Sequence, residues 1–201
     1  MQHEIVIAGF GGQGVLFAGQ LLAHAALDAG LETTWFPAYG PEMRGGTAHC
    51  TVIVSDQPIG SPVVRNPRAA IVMNLPSLEK YEPLVREGGL LIVNGSLVDR
   101  PVTRADLEVV TVRAEEVAQE LGDKRMANVV LLGALLERLG ALPLEQVEAT
   151  LADVLPERRR ALLEPNVAAL RRGAAEARAG ARQDAQAEQD RVEQEPELVA
   201  P

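Results

Sequence analysis

The sequence has a single cysteine, Cys50, among 201 residues. One thiol cannot form a disulfide within the chain. It also cannot supply the four thiolates of an iron–sulfur cluster or a structural zinc site. Aromatic residues are scarce at 3%, which leaves no platform for stacking nucleic-acid bases. Positive charge is outnumbered: 19 Lys and Arg stand against 28 Asp and Glu, a net charge of −9. The basic field of a nucleic-acid-binding domain is therefore missing. Long apolar runs are missing too. The longest, Val129–Leu136, contains Gly133 and falls far short of the roughly 18 residues a membrane-spanning helix needs. Met1–Glu4 leads straight into an apolar strand pattern with no basic leader. These features predict a cytoplasmic protein with neither nucleic acid nor membrane as partner.

Hydrophobic residues make up 47%, enough for a packed core. The length suits one α/β domain with a tail. Apolar strand patterns at Glu4–Ala8, Thr33–Phe36, Ala48–Val54, Ala69–Met73, Leu90–Val93 and Glu108–Val112 alternate with helical ones. The helices are expected at Val15–Ala29, Pro76–Arg86, Ala114–Leu121, Met126–Leu139, Leu144–Val154 and about Leu162–Ala179. Such alternation predicts a Rossmann-like, open, mostly parallel sheet with helices on both faces. That body spans residues 1–180. Residues 181–201 hold six acids and two bases with no apolar periodicity, the composition of a disordered or loosely helical acidic tail.

Gly9-Phe10-Gly11-Gly12-Gln13-Gly14 fits G-x-G-x-x-G between a strand and a helix. Glycines there permit a tight turn and a close approach to phosphate, and the N–H groups of the following helix attract anions. A nicotinamide site also needs an acid at the end of the second strand to hold ribose hydroxyls. Here that strand ends Trp35-Phe36-Pro37, with Glu32 at its other end and Glu42 in the following loop. The motif therefore fits NAD poorly. The readings left open are another phosphate-bearing ligand, a neighbouring backbone resting on the loop, and glycines that only permit strand–helix packing.

Three blocks carry a family likeness: Ile7–Val15 around the glycine loop, Trp35–Ala48 with Tyr39-Gly40-Pro41-Glu42-Met43-Arg44-Gly45-Gly46 inside it, and Asn74-Leu75-Pro76-Ser77. Over residues 1–175 the chain resembles the gamma subunit of the 2-oxoacid:ferredoxin oxidoreductases. Within that family it is most similar to the form acting on 2-oxoglutarate or a broad range of 2-oxoacids. The resemblance implies a non-catalytic subunit with alpha and beta subunits as partners, and a ferredoxin-like subunit in some assemblies. It implies that thiamine diphosphate, magnesium and iron–sulfur clusters sit on those partners. It associates the gamma unit with coenzyme A access. Thiamine enzymes as a class carry Gly-Asp-Gly with a later Asn; here Gly122-Asp123 is followed by Lys124. No catalytic or metal-ligating residue is assigned to this chain. The cofactor-binding candidates are Gly9, Gly11, Gly12, Gln13, Gly14 and Arg44.

Arg44 sits in a long glycine- and proline-rich loop, where one guanidinium suits contact with a carboxylate or phosphate. The other readings are a surface contact with Glu42 or a subunit-interface plug. Strand alternation puts Thr47, His49, Thr51 and Ile53 on one face and Ala48, Cys50, Val52 and Val54 on the other, so Cys50 reads as a buried, inert thiol. Arg158-Arg159-Arg160 reads as a solvated helix start or a docking spot. The helices at 15–29 and 126–139 are apolar almost all round. Either they are central or a second chain covers them. The expectation is self-association of the isolated chain as a homodimer, or dependence on co-expressed partners.

Overall fold

The computed structural model describes residues 1–39 and 46–194. Six strands form one sheet: β1 (Gln2–Phe10), β2 (Glu32–Tyr39), β3 (Thr47–Ser55), β4 (Ala69–Val72), β5 (Leu90–Asn94) and β6 (Glu108–Val112). Their order is β2-β3-β1-β4-β5-β6. β4 pairs parallel with β1, β5 with β4, and β6 with β5. β3 alone runs the other way, antiparallel to both β1 and β2. The expected mostly parallel sheet is present, with one difference. The second strand pairs with β3 and lies one strand away from β1. The connection between β2 and β3 is too short for the crossover a parallel pair would need, so the two strands form a hairpin and β3 takes the place beside β1. Pro37 is tolerated because β2 is an edge strand with a single neighbour.

The helices are α1 (Val15–Asp28), α2 (Leu75–Tyr81), α3 (Ala114–Glu120), α4 (Ala127–Leu139), α5 (Leu144–Val154) and α6 (Leu163–Gln194). One sheet face, with Ile5, Ile7, Cys50, Val52, Ile71 and Ile92, packs under α1, α4 and their neighbours. The apolar girdle of α4 is covered inside the chain. The sheet lies on one side and α6 on the other. α4 and α6 approach so closely at two glycines that a Cβ on Gly133 would run into the Leu170 carbonyl, and one on Gly173 into the Val130 carbonyl. Val129–Leu136 are accordingly buried all round. Of the two explanations for that helix, the central position holds, and the basis in α4 for expecting a homodimer is removed.

The opposite face, with Val6, Ala8, Val72, Leu91 and Val93, is covered by α2 and by Val98 and Leu107 of the segment before β6. Glu82 pins that segment. Its carboxylate accepts from Arg100 at 2.7 Å, from the Thr103 hydroxyl at 2.7 Å and from the Thr103 and Arg104 N–H groups at 2.5 and 3.2 Å. α6 does not stop near Gly180 but runs to Gln194, so the expected boundary at 180/181 falls inside a helix. Ala, Glu, Gln and Arg are strong helix formers, which suits the continuation. No helix among the described residues is long and apolar enough to cross a membrane.

Candidate functional site

The chain leaves β1, turns through the glycine loop and builds β2 and β3 on one side of it. It then crosses to build β4, β5 and β6 on the other. The crevice beyond the carboxyl ends of β1 and β4 is thus the switch point, where ligands of open α/β sheets bind.

The glycines divide by role. Gly9 lies against Gln13, Met73 and Val15, with no room for a Cβ. Gly14 caps α1 in a left-handed conformation at φ 77°, and a Cβ there would strike the Asn128 amide. The Asn128 amide nitrogen donates to the Gly14 carbonyl at 3.0 Å. Gly12, at φ 101°, has nothing within 4 Å of where a Cβ would stand. It faces open space. Several loop donors are already used: Gly11 N–H donates to the Gly46 carbonyl at 2.9 Å, and Gln13 N–H to the Phe10 carbonyl at 3.1 Å. A neighbouring backbone therefore does rest on part of the loop.

Gln13 points into the protein. Its amide oxygen accepts from Phe10 N–H at 2.6 Å and from the Asn74 amide at 3.0 Å. Asn74 in turn caps α2, accepting from Ser77 N–H at 3.0 Å. Asn94, at the end of β5, donates to the Met73 carbonyl at 3.2 Å and to the Glu115 carboxylate at 3.1 Å. One hydrogen-bonded line thus crosses the ends of β1, β4 and β5. It joins two of the sequence blocks that carried the resemblance. Arg44, with Glu42, lies outside the described residues.

Two adjoining cavities open at Gly12, of about 270 and 300 Å³, and share Gly12, Arg125 and Asn128. The first is also lined by Phe17, Arg159 and Asn166. The second is lined by Gln13, Asn94, Glu115 and Lys124. Asn128 and Asn166 are buried, and each amide nitrogen donates to a backbone carbonyl, leaving the amide oxygen as an acceptor. Arg125 is paired with Asp123, whose carboxyl it holds below the usual range. The ion pairs among the described residues include neither Lys124 nor Arg159. Their charges remain for an anion, beside the uncapped start of α1. Arg159 belongs to the basic run at 158–160. Lys124, Asn128, Asn166 and Glu115 carried no signal in the sequence, because only the fold brings them to the glycine loop.

Cys50 is fully buried in the first core, and its thiol donates to the Val15 carbonyl at 3.6 Å. Burial pushes it up to about 12, so it is inert as read. His49 shares its face with Thr47 and Thr51, as the alternation predicts, and stands 5.8 Å from the Tyr81 ring. Desolvation and Lys80 lower its pKa from 6.5.

The model of the pyruvate ferredoxin/flavodoxin oxidoreductase family matches residues 4–176. The chain belongs to this family. It is 44% identical over 133 residues to the ketoisovalerate oxidoreductase subunit VorA of Methanothermobacter marburgensis, covering 66% of this chain but only 28% of VorA. The chain thus spans little more than a quarter of that relative. It is 33% identical over 164 residues to the 2-oxoglutarate synthase subunit KorC of Methanocaldococcus jannaschii, covering 78% of this chain and 86% of KorC. The fold matches a keto/oxoacid ferredoxin oxidoreductase gamma subunit from Geobacter sulfurreducens at TM-score 0.79 and 30% identity, over 89% of this chain and 98% of that one.

Proposed function

We propose that this chain is the gamma subunit of a multi-subunit 2-oxoacid:ferredoxin oxidoreductase and serves the coenzyme A side of its reaction. The observation that carries the reading is the family match along residues 4–176, supported by likeness to KorC over 86% of that subunit. In this reading the complex decarboxylates a 2-oxoacid oxidatively, forms acyl-CoA and passes electrons to ferredoxin. Thiamine diphosphate, magnesium and the iron–sulfur clusters belong to the alpha and beta subunits and a ferredoxin-like subunit.

The crevice fits coenzyme A in charge. Lys124 and Arg159 offer cations to its phosphates, and Gly12 lets them approach the backbone. When bound, the coenzyme supplies the thiol that takes the acyl group. The chain's own part is to bind and orient it, with Asn128 and Asn166 as acceptors for its N–H and O–H groups. Gly9 and Gly14 shape the loop, Gln13 braces it, and Arg44 is a further anion contact.

The substrate we propose is 2-oxoglutarate, because KorC matches along most of its length. Ketoisovalerate is the second reading, carried by the higher identity to VorA. A tagged chain purified from native extract is expected to bring down alpha and beta subunits. The complex is expected to reduce viologen with coenzyme A and 2-oxoglutarate faster than with ketoisovalerate; the reverse order selects the second reading. Turnover by the chain alone, or capture of no oxidoreductase subunit, overturns the subunit reading.

A further inference from the structure

Two buried side chains of the crevice have hydrogen-bonding capacity to spare. Asn128 on α4 and Asn166 on α6 are 4% and 6% exposed, and both line the lobe of about 270 Å³ that opens at Gly12. Each amide is oriented by its nitrogen. Asn128 donates to the Gly14 carbonyl at 3.0 Å, and Asn166 to the Leu162 carbonyl at 2.7 Å. That leaves both oxygens as acceptors. Among the described residues no donor reaches either oxygen, yet neither is sealed from solvent in the way that the Glu115 Oε2 is. A largely buried amide oxygen with one open side is a group that a ligand N–H can satisfy.

The surroundings select the donor. Phe17, Leu155 and Leu162 give the lobe apolar walls, which suit a flat ring. Arg159 lines the same lobe and repels an alkylammonium, so the fitting donor is neutral. A neutral group that serves two acceptors carries two N–H bonds, as a primary aromatic amine does and a secondary amide does not. A ring carbonyl in its place would set oxygen against oxygen. The lobe is smaller than whole-ligand sites, which run from about 300 to 1,000 Å³. It therefore takes one part of a ligand and leaves the rest to the adjoining lobe with Lys124.

We propose that this lobe holds the adenine ring of a nucleotide, with the 6-amino group donating to the Asn128 and Asn166 oxygens and the phosphates at Gly12, Lys124 and Arg159. The inference deepens the coenzyme reading of this crevice and rests on it, since coenzyme A carries that ring and that amine. The shared chemistry is an adenine nucleotide, which coenzyme A and free ADP both supply.

The test is calorimetric titration of the full chain, and of the assembled complex, with five probes: coenzyme A, deaminated coenzyme A, ADP, IDP and inorganic pyrophosphate. Deaminated coenzyme A and IDP carry a ring carbonyl in place of the amine. Each amino form is expected to bind about tenfold or more tighter than its carbonyl counterpart, the size of one or two net hydrogen bonds. Asn166→Leu keeps the bulk and removes one acceptor. It should shrink that preference several-fold while leaving pyrophosphate binding unchanged. Arg159→Ala should weaken ADP and pyrophosphate alike. Equal affinities for the amino and carbonyl forms on the unsubstituted protein overturn the proposal without any variant, as does a preference that survives Asn166→Leu undiminished. If coenzyme A binds while the amine preference is absent, the coenzyme reading stands and the adenine assignment falls. If neither coenzyme A nor pyrophosphate binds in the complex, both fall. With the preference present, tighter binding of coenzyme A than of ADP assigns the lobe to the substrate. The opposite order keeps the adenine assignment, gives the lobe to a free nucleotide and overturns the coenzyme reading.

Discussion

Glu82 combines burial with four hydrogen bonds. Burial alone would raise its carboxyl, but the Thr103 and Arg100 side chains and two backbone N–H groups outweigh that and hold it at about 2. A carboxyl depressed in the folded state stabilises fully above its unfolded value of 4.5. That contribution is lost as pH falls from 4.5 towards 2. Glu82→Ala leaves Arg100 and the 103–104 backbone without their acceptor and should cost ~3 kcal/mol. Its urea midpoint should also change less than the wild type's between pH 5 and pH 3. His3 acts in a higher window. Burial, then Arg68, lowers its pKa below 6.5, and both ring nitrogens are buried without partners. The folded state therefore binds fewer protons than the unfolded one just below pH 6.5. Stability should fall as pH drops through that value, and His3→Phe should flatten the slope of melting temperature against pH there. The glycines give a third test at this scale. Gly14→Ala suffers both a left-handed backbone and a clash with Asn128, so its main effect should be a lower melting temperature. Gly12→Ala suffers only the backbone term, roughly 1–2 kcal/mol, and, on the proposed function, should raise the coenzyme A requirement of the proposed complex more than it lowers stability. Equal effects of the two substitutions on coenzyme A kinetics would make the loop a packing device. The sequence could place the glycines between strand and helix. It could not tell these two apart, because their difference is made by Asn128, more than a hundred positions away.

At the scale of elements, the most demanding contact is the crossing of α4 and α6. Each helix brings its glycine against the other's backbone. Gly133→Ala or Gly173→Ala must push the helices apart along a buried seam, and each should cost about 2–4 kcal/mol, as overpacking plus backbone displacement. The double variant should cost less than the sum, since one separation relieves both clashes. Thermal unfolding of the three proteins measures this. The element types were largely legible from periodicity: every predicted strand and helix is present near its expected place. The β2–β3 pairing was not, because strand alternation reveals which side of a strand is apolar but not which neighbour it takes. Nor was the fate of α4's apolar girdle. An all-round apolar helix looks the same in sequence whether its own chain or another covers it.

For the whole molecule, Ala177 is the last buried side chain among the described residues. Residues 181–201 have the composition of a solvated acidic segment, so deleting the residues after Gly180 should leave the melting temperature within a few degrees and leave assembly with the proposed partner subunits intact. Gel filtration of the co-expressed complex and a thermal scan check both, and a large fall would show the tail packing on the body. The architecture also bears on how the chain is made. β1 precedes the other strands and helices in the sequence, yet it sits in the middle of the sheet. β3 and β2 can reach it early as a local antiparallel meander with α1 on one side. The lid over the β4–β6 half comes from α4 and α6, which follow all six strands in the sequence. A nascent chain that has emerged only to about Met126 thus carries Ile71, Ile92 and Val110 with no helix over them. Such an intermediate is sticky, and chaperone capture during translation should peak there and subside once α6 has emerged.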